Sequence, residues 1–450
     1  MQLRGSVPIL LALLGTVAVG PEACSVYEDS LLSAGGSDGG TVRDVSSRLC
    51  SSIKPPLAPP VQTAGPRGNI DLTFALSTFD FGERYAEPVL DGGERPAQDF
   101  GYDLDNLCTG PESAGLGDGD SCRPIDWMPP ETQDFKEGRD NGLGRMIQSI
   151  ATTLDGFGTP AYNEAIRQGR VSILLEIKGY NQTANDERVE LVVYTAAPFD
   201  SLSTEGSPKP KFDGKDEWPI TSTSYESNDA GELAVPLRAR FRDPDAYVND
   251  GVLVGRLSDT SLRLSVGVSP QVIVELVLNL LQAFYTAEVY FDEAAGFWKL
   301  RNGTIAARWP LRNLLDQLEQ FPDPDDAPFF RRPLCMNTPS YDTFRRKICA
   351  TVDILSGPGT SAEPCDAISM GIRFDAVQAI RGQTYVLDAL GPRCPAEFSP
   401  KLDSCEFALD SGAPQIDAGD ASAGFDASAG SRDAARPDAA DASLRDVSAQ

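Results

Sequence analysis

Apolar residues recur at every second position through much of the chain, the spacing of half-buried β-strands. In residues 70–81, Ile70, Leu72, Phe74 and Leu76 alternate with Asp71, Thr73, Ala75 and Ser77. The same period runs through Val171, Ile173, Leu175 and Ile177, and again through Val189, Leu191 and Val193. Residues 233–235, 252–257 and 262–266 read as further strands. Residues 272–291 form the most apolar stretch after the N-terminal one, interrupted by Glu275, Asn279, Gln282 and Glu288. Its β-branched start favours strands over a helix capped by Ser269-Pro270. In 297–309 the pair Asn302-Gly303 predicts a tight turn between two short strands, because Asn-Gly adopts the positive φ of a type I′ hairpin without strain.

Helical spacing is confined to short segments. Leu143, Met146, Ile147, Ile150 and Leu154 make one stripe, with Asp140 or Asn141 placed to cap it. Thr159-Pro160 opens a second helix that stops at Gly169. Pro310 suits a first helical position before Leu311, Leu314, Leu315, Leu318 and Phe321. Phe344, Ile348, Val352 and Leu355 form a last stripe. The predicted fold is therefore mainly β: an antiparallel β-sandwich over 69–309 with inserted short helices and a stapled loop at 82–138. A C-terminal helical, disulfide-linked cap follows over 310–410.

The two ends lack such patterns. Residues 1–23 hold one positive charge, an apolar run from Val7 to Val19 and a small residue before Cys24, as in a secretory signal peptide. Cys24 then stands where a lipid-modified cysteine would be. Residues 24–68 are rich in Gly, Ser and Pro and read as a flexible tether. Beyond Ser411 Asp-Ala repeats replace the core-forming residues, which predicts a disordered tail.

Charge and cysteine content sharpen the address. The chain carries a formal charge of −27, of which the tail beyond 410 supplies only −4. A surface this acidic repels nucleic-acid phosphates and anionic lipid heads, so neither is an expected partner, and a membrane would be reached only through the lipid. The chain has no histidine, which removes imidazole-based triads and His-ligated zinc. Of nine cysteines, setting Cys24 aside for a lipid leaves eight, an even number suited to disulfides in an oxidising compartment. Proximity in sequence favours Cys108 with Cys122 and Cys335 with Cys349.

Short segments along the chain carry a likeness. Cys24-Ser25-Val26-Tyr27, Asp103-Leu104-Asp105-Asn106-Leu107-Cys108-Thr109, Gly138-Arg139-Asp140-Asn141, Ala307-Arg308-Trp309-Pro310 and Cys365-Asp366-Ala367-Ile368-Ser369, with the Asp-Ala tail, resemble a group of exported lipoproteins of myxobacteria. The resemblance implies a lipid anchor at Cys24 and, from Ser25, the outer membrane or cell surface. It implies no activity.

Two chemistries remain open to such a chain. Asp103 and Asp105 alternate as in calcium loops, Asp118 and Asp120 repeat the spacing, and Asp140 stands before a helix. Oxygens converging from these segments could hold calcium, although the plainer reading is solvated loop acids and a capped helix. An alternative is a glycoside hydrolase working through two carboxylates. Glu176 and Glu275 sit in apolar surroundings, and Trp298 and Trp309 could stack on a sugar, yet the plainer reading is that both acids face solvent and both tryptophans pack in the core. The favoured expectation is a non-enzymatic module that binds a protein or carbohydrate ligand.

Overall fold

The computed structural model describes residues 52–60, 68–83, 100–107, 121–123, 134–154, 157–201, 208–228, 232–269, 272–327, 331–386 and 393–405. The signal segment, Cys24, Cys108, Asp118, Asp120 and the Asp-Ala tail lie outside these residues.

The strands do not stack as a sandwich. They are β1 (Ile70–Asp80), β2 (Ile173–Tyr180), β3 (Asp186–Thr195), β4 (Glu217–Thr221), β5 (Phe241–Asn249), β6 (Val252–Ser269), β7 (Val272–Asp292), β8 (Phe297–Pro310) and β9 (Ala367–Tyr385). Hydrogen bonding runs β1-β2-β3-β5-β6-β7-β8-β9, and β9 pairs back onto β1. Eight antiparallel strands thus close into an up-and-down barrel, with β4 added in parallel along the far end of β9. Alternation specifies which positions face inward; it is silent on whether the last strand meets a second sheet or the first strand.

Closure is visible in the side chains. Leu72, Phe74 and Leu76 of β1, Ile173, Leu175 and Ile177 of β2, Val189, Leu191 and Val193 of β3, and their counterparts around the ring merge into one buried cluster. An eight-stranded barrel is just wide enough for its own side chains to fill, and this one is filled. The opposite face of β2 and β3 is buried too, beneath β4. Leu174, Val192 and Tyr194 pack there with Trp218, Ile220 and Tyr225 in a second cluster.

The helices are α1 (Gly142–Ala151), α2 (Thr159–Arg167), α3 (Leu311–Asp316) and α4 (Tyr341–Cys349). No helix of the described residues is long and apolar enough to cross a membrane. Asn141, rather than Asp140, caps α1: its side-chain oxygen accepts from the Gly144 N–H at 3.3 Å. Met146, Ile147 and Ile150 of α1 meet Leu276, Leu278, Trp309 and Leu318 around a wholly apolar cavity of about 30 Å3. That is room for little more than a water, with no polar partner for it.

Three expectations need correction beside the sandwich. The region 310–410 is not a helical cap, because it contains β9, the strand that closes the barrel. Ile368, Met370, Ile372, Phe374 and Ala376 alternate inward along it. The Asn302-Gly303 pair is not a hairpin turn. The β7–β8 turn is made by residues 293–296, where the Asp292 carboxylate accepts from the N–H groups of Ala294 and Ala295 and Gly296 takes a φ of 78°. Asn302, at φ 51°, instead opens a bulge inside β8, where the register slips against both β7 and β9. Gly303 fits there because a Cβ would come within 2.4 Å of the Phe374 ring.

The third correction concerns the disulfides. Cys122 joins Cys365, Cys335 joins Cys394 and Cys349 joins Cys405. Sequence neighbours were the wrong guide: each cysteine finds a partner brought to it by packing between elements. The Cys122–Cys365 bond spans 243 residues and ties the loop ahead of α1 to the residue two before β9. Non-reducing peptide mapping should recover these three links and neither Cys108–Cys122 nor Cys335–Cys349. Replacing Cys122 and Cys365 together by Ser should cost about 2–5 kcal/mol in a denaturant titration.

Candidate functional site

Three of the acids singled out in the sequence do meet. One oxygen from each of Asp103, Asp105 and Asp140 lies within 4.8 Å of the others. Asp103 and Asp105 come from the loop 100–107; Asp140 comes from the residue before the cap of α1. The loop is held by strand-like contacts: Asp103 N–H donates to the Ile53 carbonyl at 3.0 Å, and Asp140 N–H donates to the Tyr102 carbonyl at 3.2 Å. Close approach at this seam needs glycine. A Cβ on Gly101, at φ 105°, would stand 2.7 Å from the Asp140 carbonyl oxygen.

Each carboxylate has one oxygen oriented by a backbone N–H. Leu104 donates to Asp140 Oδ2 at 2.6 Å, Asn106 to Asp103 Oδ1 at 2.6 Å and Leu107 to Asp105 Oδ1 at 2.8 Å. Asp103 Oδ2 is buried without a hydrogen bond, although Lys54 Nζ stands 3.2 Å away in an ion pair. On the barrel side lies Arg308, whose strand neighbours Ala307 and Trp309 point into the core. Its guanidinium donates to the carbonyls of Leu104 at 2.7 Å and Leu355 at 3.1 Å. Burial pulls the Arg308 pKa down, and Asp105 and Asp140 oppose that shift. Guanidinium remains charged all the same.

Two of the acids are pushed towards protonation. Burial, and then the neighbouring Asp103, raise Asp105 to about 6 against the help of the Leu107 N–H. Burial and the charges of Asp105, Asp134 and Asp353 raise Asp140 well above the usual carboxylate range. Asp353, also raised by burial, receives the Ser369 N–H at 2.8 Å and is held by its hydroxyl, which in turn accepts from Gly142 N–H at 2.8 Å. The start of α1 is thereby tied to β9 and to a second buried carboxylate.

Lys54 and Asp353 were not singled out in the sequence, and Arg308 and Ser369 stood only within segments that carry the likeness. Arg308 carries the one readable signal, the single cation in the apolar run 304–310. Lys54 falls in a stretch read as tether. Only the fold brings Asp353 and Ser369 to the helix start.

The other candidate acids do not face one another. Glu176 is not solvated: it lies beneath β4, accepts from Tyr194 Oη at 2.8 Å and pairs with Arg381 at 3.1 Å and Lys178 at 3.6 Å. Glu275, four strands away around the barrel, is paired with Arg263. Trp309 is buried in the core wall and Trp298 is wedged between Tyr180 and Phe291. The chain matches no protein-family model, no curated protein and no solved structure.

Asp105 and Asp140 bind protons more readily folded than unfolded. Their contribution to stability is complete below the unfolded carboxylate pKa near 4 and is lost as pH rises, for Asp105 through about 6. Asp105→Asn keeps an acceptor for Leu107 and removes the charge. In chelator, its stability relative to wild type should therefore rise between pH 4 and pH 7, by about 1–3 kcal/mol in urea titrations. A difference that stays constant with pH would contradict the burial of a strained charge.

Proposed function

We propose that this chain is an exported, non-catalytic binding protein of the bacterial cell envelope, anchored by a lipid on Cys24, whose body holds calcium between Asp103, Asp105 and Asp140. The observation that carries the metal reading is the convergence of the three carboxylates. Oxygens that ligate one calcium ion, each about 2.4 Å from it, stand no more than about 4.8 Å apart, a limit that these three atoms satisfy. Backbone N–H groups orient one oxygen of each acid, so the carboxylates are aimed before the ion arrives. Lys54 is the resident counter-ion of Asp103 and also donates to the Asp103 carbonyl at 2.6 Å; its side chain is 39% exposed, and an entering divalent ion would have to displace it. Calcium would then cross-link the loop 100–107 to the start of α1, a structural role in which waters complete the six to eight ligands.

Two further observations support the wider reading. Three disulfides between distant elements suit an oxidising compartment outside the cytoplasm. Glu176 and Glu275, the acids considered for hydrolysis, are each paired with arginine and stand on separate strands, and the described interior is filled, so a protein or carbohydrate partner would be met on the outer surface.

The test is a thermal melt of the purified chain with calcium and with chelator. Calcium should raise the midpoint by several degrees, and Asp140→Asn should abolish the shift. Lys54→Met should tighten calcium binding by removing its competitor. An unchanged midpoint across millimolar calcium sinks the metal reading.

A further inference from the structure

A surface cleft among the described residues uses none of these groups. It encloses about 270 Å3 between the loop 332–339 and the segment 393–395. Its described walls include Arg332, Pro333, Asn337, Thr338, Arg393 and Pro395, and no acid is among the described residues that line it. In a chain with 66 acidic residues and a charge of −27, such a lining is unusual; Asp323 behind Arg332 offsets one of the two charges and leaves Arg393 as the main cation.

We propose that this cleft binds a compact oxyanion, a phosphate or carboxylate group borne by a small soluble ligand. Both guanidiniums are anchored from behind. Arg332 pairs through Nη2 with the fully buried Asp323 at 2.7 Å, and Arg393 Nη1 donates to the Gln320 carbonyl at 2.8 Å. A guanidinium has five N–H donors in a rigid plane, so each anchor leaves donors uncommitted in the geometry that carboxylate and phosphate oxygens match. Asn337, exposed on the rim, adds an amide donor. Thr338 Oγ1 is already spent on the Cys335 carbonyl at 2.7 Å.

The two walls are fixed to each other. The Cys335–Cys394 disulfide joins them, with Cα atoms 5.7 Å apart, and Cys394 directly follows Arg393. Arg332 is held by a two-way backbone bridge, in which Asp323 N–H donates to the Arg332 carbonyl at 2.8 Å and Leu334 N–H to the Phe321 carbonyl at 2.9 Å. Its own N–H, with that of Arg331, is received by Asp326. Three prolines stiffen the lining. Binding therefore orders little that is not already ordered, which is what a small ligand with few contacts requires. The volume falls just below the range of drug-sized sites, about 300–1,000 Å3, and selects a ligand of a few heavy atoms. Acids more than a Debye length away, about 8 Å at physiological salt, are largely screened and weaken the cleft little.

The experiment is isothermal titration of the full chain, in chelator and 0.15 M salt, with inorganic phosphate in one arm and D-glucuronate in the other. Chelator separates this result from the calcium reading. Saturable binding is expected in at least one arm, and which arm shows it identifies the oxyanion. Arg393→Gln should weaken it tenfold or more, and Arg393→Lys, which keeps the charge and loses the fork, should fall between the two. Asn337→Asp places a negative charge on an exposed rim without disturbing the core and should also weaken binding tenfold. No saturable binding of either probe, or unchanged affinity in Asn337→Asp or in an Arg393→Gln chain that melts like wild type, overturns the proposal.

Discussion

The pairing of β9 with β1 is the constraint on which the rest of this structure depends. Seven residues of β1, from Thr73 to Asp80, are matched antiparallel to residues 373–379 of β9. Without that seam the sheet would present two long edges and a half-covered apolar face. With it, the inward positions of eight strands converge and fill the interior with Phe74, Tyr285, Phe374 and their neighbours. The closure joins residues some 300 apart in sequence, so its loop-closure cost is met by the burial it completes rather than by any local contact.

The same strand organises what surrounds the barrel. Beyond Ala379 it leaves the seam and carries β4 in parallel, which covers the outer face of β2 and β3 and buries Glu176 with its tyrosine and arginine partners. At its start, Cys365 clamps it to Cys122, and Ser369 and Gly371 donate the hydrogen bonds that hold Asp353 and Asn141. The acid cluster is thus built on the outer wall of the barrel. Asp103, Asp105 and Asp140 are brought together by groups that hold them from behind, and the cluster carries a burial cost that two flanking cations only partly offset.

Much of the local structure was legible. The alternation in 70–80, 173–177 and 189–193 marks strands whose inward residues are the ones read as apolar. The stripe from Leu143 to Ile150 is the buried face of α1, and 272–292 is strand throughout. Asp103, Asp105 and Asp140 were picked from their spacing and their place before a helix, and they do converge. The reading failed where it assumed that chain neighbours are spatial neighbours. Asn302-Gly303 has the composition of a turn, yet Asp292 and Gly296 supply a turn first and leave the pair to absorb one extra residue as a bulge. Cys335 stands close to Cys349 in sequence, yet the packing of α4 and of the segment 393–405 sends them to separate partners. The alternation of Ile368, Met370, Ile372, Phe374 and Ala376 was present in the sequence and was overshadowed by the helical stripes that precede it.

By itself, then, the sequence determined the periods of its elements, the acidity of its surface, the absence of imidazole chemistry and the acids available to a metal. These are properties of residue type and short spacing, which propensity and burial act on directly. Only the tertiary structure decided that the sheet closes, which cysteines meet, that Glu176 lies buried under β4, and that Lys54 and Arg308 stand beside the acid cluster. Each of those depends on which distant segments come into contact. That choice is made by the burial and hydrogen bonding of the whole barrel at once, and no window of sequence contains it.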